Sequence, residues 1–191
     1  MTTVDSALAH VAHTTPYAWP YDGELTPAAS AAVVVRPASV AWPSGVDATY
    51  ARAASAVVAA VRSAGGAVIS VITTDPGGPP APGEPWPLAD AEVTSAGIDG
   101  FYASPLEAHL RTRSLTKLYL VGYGLETCVH STMRSANDMG LECLLVVDAC
   151  QPYEPGLVAA SVSMIEMSGG IFGAVGHSAD VVAALTARSN S

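Results

Sequence analysis

The chain has 191 residues, of which 50% are apolar and 13% charged, and its mean hydropathy is +0.34. This composition excludes disorder over most of the length and supplies a core for one domain. Eight basic residues stand against 17 acidic ones, a net charge of −9. No basic patch exists to neutralise nucleic-acid phosphates or to hold an anionic membrane surface. Lys117 is the single lysine of the chain. The apolar runs are too short for a membrane span, which needs about 20 residues. Nor does the N-terminus carry the basic and apolar regions of a secretory signal. Cys128, Cys143 and Cys150 make an odd count, read as free thiols in a reducing cytoplasm.

Residues 1–30 read as an arm, with Pro16, Trp19, Pro20, Tyr21 and Pro27 and little periodicity. Such an arm packs on its own domain or on a neighbouring subunit. The domain proper then spans residues 31–191. The run 31–35 (AAVVV) is short, apolar and β-branched, a buried strand. Residues 37–45 are a loop by their prolines and glycine, and 47–64 a helix capped by Asp47 and stopped at Gly65-Gly66. A second strand covers 67–73. Six prolines within 74–89 bar helix and central strand and make a long loop. A short strand follows near 91–94.

Ser104, Pro105 and Glu107 have the spacing of a capping box for a helix over 104–114. The chain continues with a strand at 117–123, a helix at 128–140 closed by Gly140, and a strand at 142–148. It ends with a helix at 155–170, a strand at 171–175 and a helix at 178–187. Continuous apolar strands alternating with helices predict an open three-layer α/β/α sandwich around a mostly parallel sheet of about six strands. Ligands bind such sheets at the carboxyl strand ends, where the strand order reverses.

Cys128 follows strand 117–123 at the start of the next helix. A helix N-terminus favours the thiolate and offers N–H groups to an oxyanion, so this placement suits a nucleophile. Cys143, inside an apolar strand, reads as a small core side chain, and Cys150 as packing at a strand end. Gly122-Tyr123-Gly124 lacks the third glycine of a dinucleotide fingerprint. His130 and His177 are isolated, and no metal-ligand spacing occurs. Neither a metal nor another cofactor is expected.

The segment YLVGYGLETCVHSTMRSANDMGLECLLVVDAC (119–150) resembles the core of the isochorismatase-like cysteine hydrolases. It is nearest to the biuret hydrolase, ureidoacrylate and N-carbamoylsarcosine amidohydrolase group. Residues 16–27 (PYAWPYDGELTP), 101–113 (FYASPLEAHLRTR) and 164–185 (MIEMSGGIFGAVGHSADVVAAL) extend the resemblance over most of the chain. It implies a parallel sheet flanked by helices, a dimer or tetramer with the arm 1–30 packed across a subunit interface, and C–N bond hydrolysis through a thioester. An Asp at the end of the first strand moves the proton, a Lys completes the triad, and a cis peptide shapes the oxyanion hole.

Only one triad member is retained. Cys128 takes the nucleophile position, Arg36 falls on the Asp position, and Ser95, six residues before Phe101, on the Lys position. The resemblance places the oxyanion amides at Gly124 and Cys128 and the cis bond at Tyr123–Gly124. The stretch between the second strand and Phe101 is also shorter than in the amidohydrolases.

A guanidinium beside the thiol could stabilise a thiolate or clamp a carboxylate, but it cannot protonate a leaving amine. General acid–base help is worth about 10²–10⁴ in rate, so the ordinary amidase reaction is expected to be altered or lost. Asp75, Asp99 and Glu126 are the acids that could substitute, Asp99 foremost because its loop carries the family's Lys. Two readings follow, with relocation of the base to one of those acids a third. The first is a cysteine hydrolase homologue acting through Cys128 on a small acyl, amide or carbamoyl compound, its substrate contacted by Arg36, Ser95, Asp99, Phe101 and Gly124. The second is an inactive pseudoenzyme, a structural or regulatory subunit of an active homologue.

Overall fold

The computed structural model describes residues 10–41, 45–74 and 89–189. The strands are β1 (Ser30–Pro37), β2 (Ala67–Thr73), β3 (Ala91–Thr94), β4 (Lys117–Tyr123), β5 (Glu142–Gln151) and β6 (Ala174–Gly176). They form one sheet in the order β3-β2-β1-β4-β5-β6, with every neighbouring pair parallel. The order reverses direction between β1 and β4, so the crevice at the carboxyl ends of these two strands is the natural ligand site.

Alternation along β1 sorts the core into two layers. Ala31, Val33 and Val35 face one layer, with Ile69 and Val71 of β2. This layer holds Leu106 and Leu110 of α2 (Leu106–Thr112), Met133 and Ala136 of α3 (His130–Asp138), and Ile165 of α4 (Val158–Glu166). Ala32 and Val34 face the other layer, against Val57, Val58 and Val61 of α1 (Ala48–Ser63) and Val181 and Leu185 of α5 (Ser178–Ser189). Each fully buried Val or Leu contributes about 1.5–3 kcal/mol, so the two layers carry the fold. The result is the expected α/β/α sandwich. Among the described residues, no helix is long and apolar enough to cross a membrane.

Local rules account for most boundaries. The Asp47 carboxylate accepts the Thr49 N–H at 2.8 Å, and Gly65 at φ +92° ends α1. The capping box of α2 is incomplete. Ser104 Oγ accepts the Leu106 N–H at 3.1 Å, but Glu107 pairs forward with Arg111 at 2.7 Å instead of reaching back. β5 runs to Gln151, beyond the expected end. It carries a bulge: Leu120 pairs Leu145 while Gly122 pairs Cys150. Asp148 lies within the bulge and caps α5 by accepting the Ser178 N–H at 2.8 Å and its hydroxyl at 2.6 Å.

The arm is where the structure departs furthest from expectation. Val11, Trp19 and Leu25 are buried within this chain's own α1/α5 layer. The Trp19 ring meets Tyr119 edge-on at 4.9 Å, and Thr15 bridges Val175 of β6 in antiparallel fashion. The described part of the arm therefore belongs to the domain core, because an indole this large gains more from the sheet than from solvent. The cis peptides also differ. Among the described residues they lie at Thr15–Pro16 and Trp19–Pro20, and Tyr123–Gly124 is not among them.

Candidate active site

The carboxyl ends of β1 and β4 approach closely at Gly122, whose φ is +138°; a Cβ there would lie 1.9 Å from the Val35 carbonyl oxygen. Gly124 follows in the left-handed region at φ +80°. Its carbonyl accepts the Thr127 and Val129 N–H groups, both at 3.0 Å. The second bond spans five residues and winds Leu125–Val129 as a π turn, which runs directly into α3. Cys128 lies inside this turn, with a relative exposure of 2%. Its thiol donates to the Tyr123 carbonyl at 2.8 Å.

The expected thiolate stabilisation is present but outweighed. The backbone N–H groups of Val129 and Cys128 and the hydroxyls of Thr73 and Thr127 all favour the thiolate. Burial acts against them and prevails, pushing the thiol up to about 11 from an ordinary value of 9.0. Cys128 is therefore a protonated thiol at neutral pH. Cys143 and Cys150 are also buried, and burial raises their thiols too.

Cys128 opens onto a small cavity of about 190 Å³ lined by Pro37, Thr73, Thr74, Ile98, Thr127 and Tyr153. Tyr153 stands at its exposed side, its ring edge-on to Tyr123 at 4.9 Å. The Tyr153 loop is held by Glu126, whose carboxylate accepts the Tyr153 N–H at 3.1 Å and the Glu154 N–H at 2.7 Å. No carboxylate or amine stands among these lining residues. Larger hollows, of about 390 and 520 Å³, lie by Leu141 and Gly140, before β5 begins, at the opposite end of the sheet from Cys128. Among the described residues, no group of three or more His, Cys, Asp or Glu could hold a metal ion.

Most of the other sequence-predicted site residues are engaged elsewhere. Pro37 pairs Thr73 across β1 and β2, and both line the cavity. Val33 and Val35 share that face, so alternation puts Arg36 on the α1 face, away from Cys128. Arg36 was expected beside the thiol; Pro37 holds that place, because strand parity and not the length of the apolar run decides which side chain faces the cavity. Ser95 is buried and donates its hydroxyl to the Gly97 carbonyl at 2.7 Å, sewing its own turn. Asp99 accepts the Phe101 N–H at 2.9 Å and the Ser135 hydroxyl at 2.6 Å, tying its loop to α3. Phe101 packs in the core layer that contains Cys128. The Gly124 N–H, expected to serve an oxyanion, donates to the Gln151 carbonyl at 2.7 Å. Asp75 lies outside the described residues.

Thr73, Thr74, Thr127, Ile98 and Tyr153 were not anticipated from sequence. Thr73 and Thr74 close β2 and Thr127 immediately precedes Cys128, so position at a carboxyl strand end was the available signal.

With this geometry in hand, comparison with known proteins is decisive on one point. Residues 33–179 match the model of the isochorismatase domain. The chain belongs to the isochorismatase family. Solved structures agree on the fold. A cysteine hydrolase from Pseudomonas syringae pv. phaseolicola is similar with a TM-score of 0.72 at 17% identity, covering 85% of this chain and 95% of that one. An isochorismatase family protein from Burkholderia thailandensis has a TM-score of 0.66 at 24% identity, over 85% of this chain and 97% of the other. The nicotinamidase of Staphylococcus aureus has a TM-score of 0.61 at 16% identity, over 78% and 98% respectively. This chain has Cys128 at the β4–α3 junction, and the described residues lining its cavity are neutral.

Proposed function

We propose that this chain is a non-hydrolysing member of the isochorismatase family, acting as a structural or regulatory subunit of an active homologue. The observation that carries this reading is the neutral lining of the Cys128 cavity among the described residues. Cleaving an amide requires a base to take the thiol proton and an acid to protonate the departing nitrogen. Pro37 and Ile98 can do neither. Thr73, Thr74, Thr127 and Tyr153 offer hydroxyls, and two of the acids that adjoin lining residues in sequence, Asp99 and Glu126, are tied to backbone N–H groups. Burial also keeps the thiol protonated.

One observation favours a second reading, in which Cys128 accepts an activated acyl group such as that of a thioester. The Cys128 N–H favours a negative charge at the sulfur, and it would also meet a developing oxyanion there. A thiolate leaving group needs no protonation, so such a substrate avoids the missing acid.

Intact-mass spectrometry separates the two. The protein is incubated with small amides, ureido acids, biuret and acyl thioesters, and an acyl adduct on Cys128 is sought. The first reading expects no adduct with any donor, together with co-purification of an active homologue from cells producing both. An adduct with thioesters alone establishes the second reading. Turnover of an amide overturns both.

A further inference from the structure

Two long cationic side chains are buried among the described residues, and they differ in one respect. Lys117, 6% exposed, meets the Asp22 carboxylate at 2.8 Å. Arg36, 5% exposed, has no carboxylate oxygen within 4.0 Å among the described residues. Its Nη1 donates to the Val40 carbonyl at 3.3 Å, and its Nε is buried without a hydrogen-bond partner among the described residues. A guanidinium does not discharge by losing its proton, and taking it out of water costs several kcal/mol unless an anion compensates. A neutral carbonyl at that distance is poor compensation.

We propose that Arg36 forms an anion-binding site on the α1 face of the sheet's carboxyl edge, taking the carboxylate of a small molecule. Three observations place the site. Arg36 is the penultimate residue of β1, beside the point where strand order reverses between β1 and β4. Alternation turns it to the α1 face, opposite the Cys128 cavity. At the start of α1, the Asp47 carboxylate accepts the Thr49 N–H and the Gln151 side-chain carbonyl accepts the Asp47 N–H. Arg36 Nε is the donor left over. With Nη1 on Val40, the Nε side of the guanidinium presents a fork, onto which the two oxygens of a carboxylate fit side-on. This site stands apart from the thiol and does not rest on whether Cys128 turns over.

The test uses the whole chain and the Nε–Hε cross-peaks of its seven arginines. Arg36 is assigned by its loss in R36M. Acetate is titrated against sodium chloride at equal ionic strength. The expected result is a saturable shift of the Arg36 cross-peak with acetate and none with chloride. Tm should rise by ~5–10 °C at 100 times Kd, a rise that R36M abolishes. An Arg36 cross-peak unmoved by acetate overturns the proposal. So does a shift of that peak in D75N or E84Q without added anion, which would make an internal carboxylate its partner. If R36M does not fold, the titration of the unmodified protein still decides. Inorganic phosphate serves as a second probe: binding of phosphate but not acetate overturns the assignment to carboxylates.

Discussion

A Cβ at Gly124 would lie 2.7 Å from the sulfur of Cys128. The absence of that one carbon is what lets the π turn fold its thiol back beneath the Tyr123 carbonyl. Gly124→Ala therefore meets two penalties, a left-handed φ of +80° and a contact with Sγ. The backbone conformation alone costs roughly 1–2 kcal/mol. Urea unfolding of G124A should show at least that loss, with an unchanged m-value.

The Cys128 thiol should alkylate slowly at neutral pH. Iodoacetamide labelling followed by intact mass should rise steeply toward a midpoint of about 11. A midpoint at or below the ordinary value would overturn the picture of a burial-dominated thiol. The same shift has a sign for stability. A folded-state value raised above the unfolded one contributes stability below the unfolded value and loses it as pH climbs through the folded one. The unmodified chain should thus lose stability between about pH 9 and 11. C128S, which does not titrate there, should lose less over that window.

Strand parity gives a sharp contrast between adjacent substitutions. Pro37 lines the Cys128 cavity and Arg36 faces α1. Pro37→Asp should change the pH profile of Cys128 alkylation, since a new carboxylate beside the sulfur raises its pKa further. Arg36→Asp should leave that profile nearly unchanged. Equal effects of the two would mean that both side chains reach the thiol.

Glu126 holds the loop that carries Tyr153 over the cavity. Replacing it with Ala removes two charge-assisted bonds at a partly exposed site, with an expected cost of about 1–2 kcal/mol. The more telling readout is Cys128 labelling at a fixed alkaline pH, which should speed up as Tyr153 loosens.

Trp19→Ala tests the arm. The indole is fully buried against Tyr119, and truncating such a side chain costs about 3–5 kcal/mol. Thermal unfolding should show a large fall in Tm that is independent of protein concentration. A concentration-dependent fall would instead mean that the arm packs on another subunit.

The sandwich, the position of Cys128 and the family were all legible in the sequence. Runs such as 31–35 and 117–123 are apolar throughout because both faces of a parallel strand are covered, and this leaves a local imprint. Asp47, Gly65 and Gly140 mark helix ends because caps are also local. The quoted motif around Cys128 likewise lies in one contiguous segment. The remaining features depend on contacts between distant segments. An unbroken apolar strand does not reveal which of its residues faces which layer, so Arg36 and Pro37 could be told apart only once β1 was set between β2 and β4. The burial of Trp19 depends on Tyr119, a hundred residues away. Whether Cys128 is a thiolate depends on how completely its surroundings exclude water. That balance is struck between groups from β2, β4 and the π turn, and no stretch of sequence contains them all.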